Sequence, residues 1–183
     1  MVISDKLKFL YIKIPKTGGE TIFMQLEEHI VTDYINRGRG NHEKISEVFE
    51  KHPHVENYFK FCFVRNPFDL AVSRYFYLTQ TEKETRFKSF KEWCKKKQFF
   101  PKLQFDLISI DGEIKTDFIG RFENLQQDFD IICDKIGIPQ QQLPHKNKTK
   151  HKHYTEYYND ETRSIVAEIY AKDIETFGYE FGE

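Results

Sequence analysis

The chain has 183 residues, 39% of them hydrophobic, 16% aromatic and 31% charged, with a formal net charge of -1. That balance excludes a disordered chain and a membrane-embedded one, and the near-neutral total says little about partners. The length suits one hydrophobic core better than two, so a single domain over residues 1–183 is expected.

Residues 9–14, FLYIKI, are a short, nearly continuous apolar run rich in strand formers, the pattern of a buried parallel strand. Pro15 ends it. Ile22, Phe23, Leu26 and Ile30 then recur at helical spacing, so the segment reads strand, tight loop, helix. NRGRGNHEKISEVFEKHP reads as a loop and a short helix ending near Pro53. The plan then repeats. YFKFCFV, residues 58–64, is a second buried strand, followed by Arg65, a capping Asn66, Pro67 at the first helical position and Asp69 in the first turn. In FDLISIDGEIKTDFI, residues 105–119, Asp-Gly between two strand-like runs predicts a hairpin. Leu125, Phe129, Ile132 and Ile136 form one helical stripe, stopped by Gly137 and Pro139. A last helix is expected over residues 160–177, closed by Gly178. Alternating strands and helices point to an α/β sheet protein.

Cys62, Cys94 and Cys133 lie far apart, without metal-ligand or paired spacing, which favours reduced thiols in a reducing compartment. No apolar run approaches the roughly 20 residues that cross a bilayer, and MVISDKLKFLYIK lacks a signal core and cleavage site. A cytoplasmic location without a membrane span is expected.

A strand, a glycine turn and a helix make an anion site, because the first N–H groups of a helix have no internal acceptor and its dipole favours negative charge there. PKTGGETI supplies the parts: Gly18 and Gly19 let the backbone wrap a phosphate, Thr17 and Thr21 offer hydroxyls, and Lys16 offers charge. The lysine precedes both glycines, so the ATPase pattern G-x-x-x-x-G-K-[ST] is not met. The competing explanation is an ordinary turn with a solvated lysine. In FVRNPFDLAVSRYF, Arg65 falls at the end of the second strand and Ser73 lies eight residues on, on the stripe that rises from it. An arginine fork and a hydroxyl suit a second phosphate; a surface ion pair and a small core-facing serine are the alternative.

Together IPKTGGETI and FVRNPFDLAVSRY resemble the 5′-phosphosulfate loop and the 3′-phosphate motif of sulfotransferases, particularly the carbohydrate-modifying group that includes the heparan 2-O- and chondroitin enzymes. IGRFENLQQDFDIICDKIGI and the segment from LPHKNKTKHKHYT to the C-terminal GYEF are similar to that group's later segments, so the likeness spans most of the chain. It implies a P-loop-NTPase-like sulfotransferase fold, a central parallel sheet flanked by helices. The implied donor is 3′-phosphoadenosine 5′-phosphosulfate (PAPS), leaving as adenosine 3′,5′-bisphosphate (PAP). The implied acceptor is a carbohydrate hydroxyl, and no metal is required.

By that resemblance Lys16 contacts the 5′-phosphate and its bridging oxygen, and the backbone amides from Thr17 through Gly18, Gly19, Glu20 and Thr21 cradle the phosphate. Arg65 and Ser73 hold the 3′-phosphate, and Phe122 packs on adenine unless it is a core aromatic ahead of a helix. Glu20 departs from the threonine or serine usual in this group and sets a carboxylate beside a polyanion. That opposes donor binding unless the side chain points outward or pairs with a basic residue, so only its amide is assigned to the site. His42, between the two motifs, is the candidate general base, with Glu43, Glu27 and His29 as weaker rivals and a surface loop histidine as the alternative. The cationic run HKNKTKHKH suits an anionic acceptor or closure over the donor, against the default of a solvated loop. His151 and His153 lack a third metal ligand at a recognisable spacing, and the aromatics form no nucleic-acid platform. Two other readings stay open: a phosphotransferase using ATP, and a non-catalytic binder of the bisphosphate.

Overall fold

A computed structural model describes residues 1–27, 29, 42–81, 83, 86–144 and 152–183. The chain falls into two compact units, one of Met1–Val64 with Gln104–Lys146 and the other of Arg65–Leu103 with Asn147–Glu183.

The first unit is built on a four-stranded sheet. Its strands are β1 (Val2–Ser4), β2 (Phe9–Ile12), β3 (Phe59–Val64) and β6 (Phe118–Arg121), in the spatial order β1-β2-β3-β6. The runs at 9–14 and 58–64 are the two central strands, paired in parallel from Phe9 opposite Phe59 to Ile12 opposite Cys62. β6 adds a third parallel strand, while β1 pairs antiparallel with β2, so the sheet is mixed and mostly parallel. β1 is three residues long and carries too short a pattern to announce itself. Phe9, Tyr11, Phe61 and Phe63 share one face with Ile22 and Leu26 of helix α1 (Gly19–Glu27). Phe129, Ile132 and Ile136 of α6 (Leu125–Ile136) join the same cluster. Leu10, Ile12 and Cys62 alternate with those aromatics and are also fully buried, which is why the strands read as unbroken apolar runs. Gly137 closes α6 in the left-handed conformation, at φ 74°.

Two readings of residues 104–121 need correction. The FDLI stretch is helix α5 (Gln104–Ile108), because Gln104, Leu107 and Ile108 are buried at three- and four-residue steps. The hairpin is shorter than expected, β4 (Ser109–Ile110) against β5 (Glu113–Ile114), turning through Asp111 and Gly112 at φ 51° and 82° as an Asp-Gly turn should. Phe118–Arg121 then leaves the hairpin for the main sheet. Asp117 fastens it there, accepting from the Lys60 amide at 2.7 Å while its own amide donates to the Lys60 carbonyl at 2.7 Å. Gly120 faces Phe63 across the pair, and a β-carbon there would lie 2.5 Å from the Phe63 ring. The short helix α2 (Ile45–Lys51) lies where the sequence puts it and is followed by a 3-10 segment at Pro53–Asn57.

The second unit is helical and aromatic. Helix α3 (Pro67–Phe76) starts as read, with Asn66 accepting from the Phe68 amide at 3.0 Å and Pro67 at the first position. It runs into a π turn at Tyr77–Thr81. Helix α4 (Phe90–Cys94) follows, capped by Ser89. The final helix is two, α7 (Asp160–Ile169) and α8 (Ala171–Phe177), kinked at Tyr170. Hydrogen bonds cross the kink, from the Tyr170 amide to Val166 at 3.0 Å and from the Ile174 amide to Tyr170 at 2.9 Å. At the break Tyr170 is fully buried, and its hydroxyl donates to the Pro101 carbonyl at 3.1 Å. Leu70, Phe90, Trp93, Val166 and Tyr170 form the centre of this unit's core.

Cys62, Cys94 and Cys133 are free and buried, and burial pushes their thiols up to about 12, 12 and 11. Such thiols are poor nucleophiles at neutral pH. Among the described residues no helix is long and apolar enough to cross a membrane.

Candidate functional site

The loop between β2 and α1 turns on alternating backbone signs. Lys16 has φ 65° and Gly18 φ 78°, with Thr17 between them outside the left-handed region. A lysine there is uncommon and costs of order 1 kcal/mol, whereas alternation of this kind turns successive N–H groups toward one concave side. The loop is braced from within: Thr17 is buried, and its hydroxyl donates to the Ile14 carbonyl at 3.0 Å. Its hydroxyl proton is therefore engaged, and the amide remains the group it offers to a ligand. The Gly18 carbonyl accepts from Thr21 at 2.9 Å and from Ile22 at 3.2 Å. The Thr21 amide is thus taken, contrary to the expectation that it joins the cradle, and the group it still presents is its hydroxyl. Gly19 and Glu20 occupy the first two positions of α1, where a helix supplies no acceptor for their N–H groups.

Gly18 is required by its left-handed backbone, and both glycines lie under side chains. A β-carbon on Gly18 would sit 2.9 Å from Leu125 Cδ2 and 3.5 Å from Phe122 Cδ2, so the residues that open α6 pack on the loop. This brings Phe122, read from sequence as an adenine contact, to the loop between β2 and α1. A β-carbon on Gly19 would sit 2.8 Å from both Cγ and Cε of Lys13. The Lys13 side chain crosses over Gly19 and ends on the Glu20 carboxylate, in a short ion pair. Of the two ways in which Glu20 could be tolerated, pairing with a basic residue is the one adopted. Lys13 was missed in sequence. The only signal there was a lysine seven residues before an unexpected acid.

His42 lies at the same loop, with Nδ1 2.8 Å from the Lys13 carbonyl oxygen. A carbonyl only accepts, so Nδ1 carries the proton, and in the neutral ring Nε2 holds the lone pair that a general base needs. The rivals are placed differently. Glu43 accepts from Lys51 Nζ at 2.6 Å, His29 lies beyond the end of α1 with Nε2 3.1 Å from the Gln141 amide nitrogen, and Glu27 is the exposed last residue of that helix.

Arg65 and Ser73 are both buried in the second unit. Arg65 is an ion pair, as one alternative held, but not a surface one: Nε and Nη2 meet Asp69 Oδ2 at 2.8 and 2.7 Å, with the arginine side chain 9% exposed. Asp69 fixes one edge of the guanidinium from the first turn of α3, and Ser73 follows one turn later on that face. Asn66, besides capping α3, donates to the Glu180 carbonyl at 2.8 Å. The Tyr154 hydroxyl accepts from the Gly182 amide at 2.7 Å, so this motif is fastened to residues near 180. Of the cationic run at 145–153, residues 145–151 lie outside the described residues, and with them the His151 of the proposed histidine pair.

A model of the sulfotransferase family matches residues 1–180. An uncharacterized protein of Archaeoglobus fulgidus is 35% identical over 89 residues, which are 47% of this chain and 73% of that protein. Among solved structures, a sulfotransferase from Alicyclobacillus acidocaldarius is similar at 18% identity and a TM-score of 0.43 over 74% of this chain. The chain spans 60% of that enzyme's length.

Proposed function

Because the chain belongs to the sulfotransferase family, we propose that it transfers a sulfuryl group from PAPS to a hydroxyl of a carbohydrate. The observation that carries this reading is the phosphate loop, a left-handed lysine and two crowded glycines opening a helix, with His42 hydrogen-bonded to the same stretch of backbone. The acceptor oxygen bonds to sulfur as its proton passes to His42 Nε2, and the bond from sulfur to the 5′-phosphate oxygen breaks. Lys16 and the amides of Thr17, Gly18, Gly19 and Glu20 stabilise the charge that grows on the departing oxygen, the place where fixed donors accelerate a reaction most. Arg65 and Ser73 take the 3′-phosphate, with Asp69 orienting the guanidinium, and Phe122 takes the adenine. These groups supply the positive charge that Mg²⁺ brings to kinases, so the proposal includes no metal.

The pairing of Glu20 with Lys13 supports donor binding, since it offsets the repulsion that an unpaired acid would set against a polyanion. Calorimetric titration with PAP is the test, on the parent protein and on Arg65→Ala. We expect clear binding, tighter than that of ADP, which weakens at least about tenfold in the variant through loss of a charge-assisted contact. Equal affinities would remove Arg65 from the site, and a preference for ADP would favour phosphoryl transfer. Consumption of PAPS across a panel of oligosaccharides then identifies the acceptor.

A further inference from the structure

The geometry points to Lys13 and Glu20 as a matched pair that sets how strongly the loop holds its anion. The inference rests on the loop binding a phosphate, as proposed above, and adds two side chains that the general reading leaves out. Three observations support it. Glu20 stands at the second position of α1, where its amide faces an anion while its carboxylate repels one. Lys13 reaches that carboxylate only by crossing Gly19, whose missing β-carbon leaves the passage. The Lys13 side chain is 23% exposed against 65% for Glu20, so the lysine is the more enclosed partner and the glutamate the more solvated one. The backbone of Lys13 also accepts from His42, which ties the placement of the candidate base to the same residue.

The consequence is a charge balance. With both side chains present the carboxylate is offset at close range. Without the ammonium, a negative charge stands alone at the start of α1, beside the incoming phosphate. Without the carboxylate, the ammonium is released to the anion. Lys13→Met retains the chain length over Gly19 and removes only the charge, Glu20→Gln keeps the shape, and Lys13→Arg restores a cation.

PAP affinity measured by calorimetry for Lys13→Met, Glu20→Gln, the double variant and Lys13→Arg tests the pair. The expected results are about tenfold weaker binding for Lys13→Met and about threefold tighter for Glu20→Gln, modest because the carboxylate is partly screened by water. The double variant should return to about the parent affinity, and Lys13→Arg should stay near it. A mere structural prop would not give this rescue. Parent-like binding by Lys13→Met, or a double variant no better than Lys13→Met, overturns the pair. If Lys13→Met does not fold, Glu20→Gln decides alone: tighter binding supports the pair, and unchanged or weaker binding overturns it. Inorganic pyrophosphate, which needs only the loop, serves as a second probe. A parent that binds pyrophosphate but not PAP defeats the donor assignment while the same four variants still judge the pair; a parent that binds neither defeats both.

Discussion

The loop at residues 13–21 and the start of α3 are both strand-to-helix corners, yet they are built in opposite ways. At the first, shape comes from the main chain, from a lysine and a glycine at positive φ and a threonine hydroxyl closing the turn on the Ile14 carbonyl. At the second, the positions come from side chains: Asp69 fixes Arg65, and Asn66 joins the Phe68 amide to the Glu180 carbonyl. A main-chain cradle tolerates changed side chains as long as its dihedrals survive, whereas a side-chain network loses placement and stability together when one member goes. The loop is therefore where activity and stability should separate, and the α3 start is where they should not.

The largest expected effect tests that separation. Lys16→Gly removes the ammonium and relieves the left-handed lysine, so turnover should fall by about 10²–10³-fold. Thermal unfolding should meanwhile show unchanged stability or a gain of up to about 1 kcal/mol. Parallel losses in both would mean that the loop is held by the lysine side chain, and the contrast would fail. Next comes Asn66→Ala, which removes a helix cap and strands the Glu180 carbonyl; denaturant titration should show a loss of about 2–3 kcal/mol, with PAP binding weakened as well. A stable variant with intact binding would show that α3 does not depend on this network. The smallest effect separates the loop from the sheet that carries it. Tyr11 is fully buried, and among the described residues its hydroxyl has no hydrogen-bond partner. Tyr11→Phe should leave binding untouched and raise stability by up to about 1 kcal/mol; a clear loss of stability would reveal a role for that hydroxyl.

What the sequence made legible follows the same division. Local chemistry was readable. Asn66 and Pro67 announced the start of α3, Gly137 and Gly178 announced helix ends that do adopt the left-handed conformation, and Asp111-Gly112 announced a tight turn. The buried strands at 9–12 and 59–64 were readable because both faces are apolar. What depended on distant neighbours was not. Residues 118–121 belong to the main sheet because Asp117 grips Lys60 and Gly120 accepts the Phe63 ring, and neither relation can be seen along the chain. The break at Tyr170 has no proline or glycine to mark it, and its hydrogen-bond partner, Pro101, lies far off along the chain. At the candidate site the loop residues were legible by type and order. Sequence raised the conflict at Glu20, but its partner could be found only once a strand, a turn and a helix had brought residue 13 back over residue 19.

The passage over Gly19 has a consequence for how such a chain can change over generations. Positions 13, 19 and 20 are linked: an acid at 20 invites a long cation at 13, and a β-carbon at 19 would make that cation's stem shift. Descendants that lose the acid would be released from the demand at 13, and a neutral residue at 20 should travel with a shorter or uncharged one there.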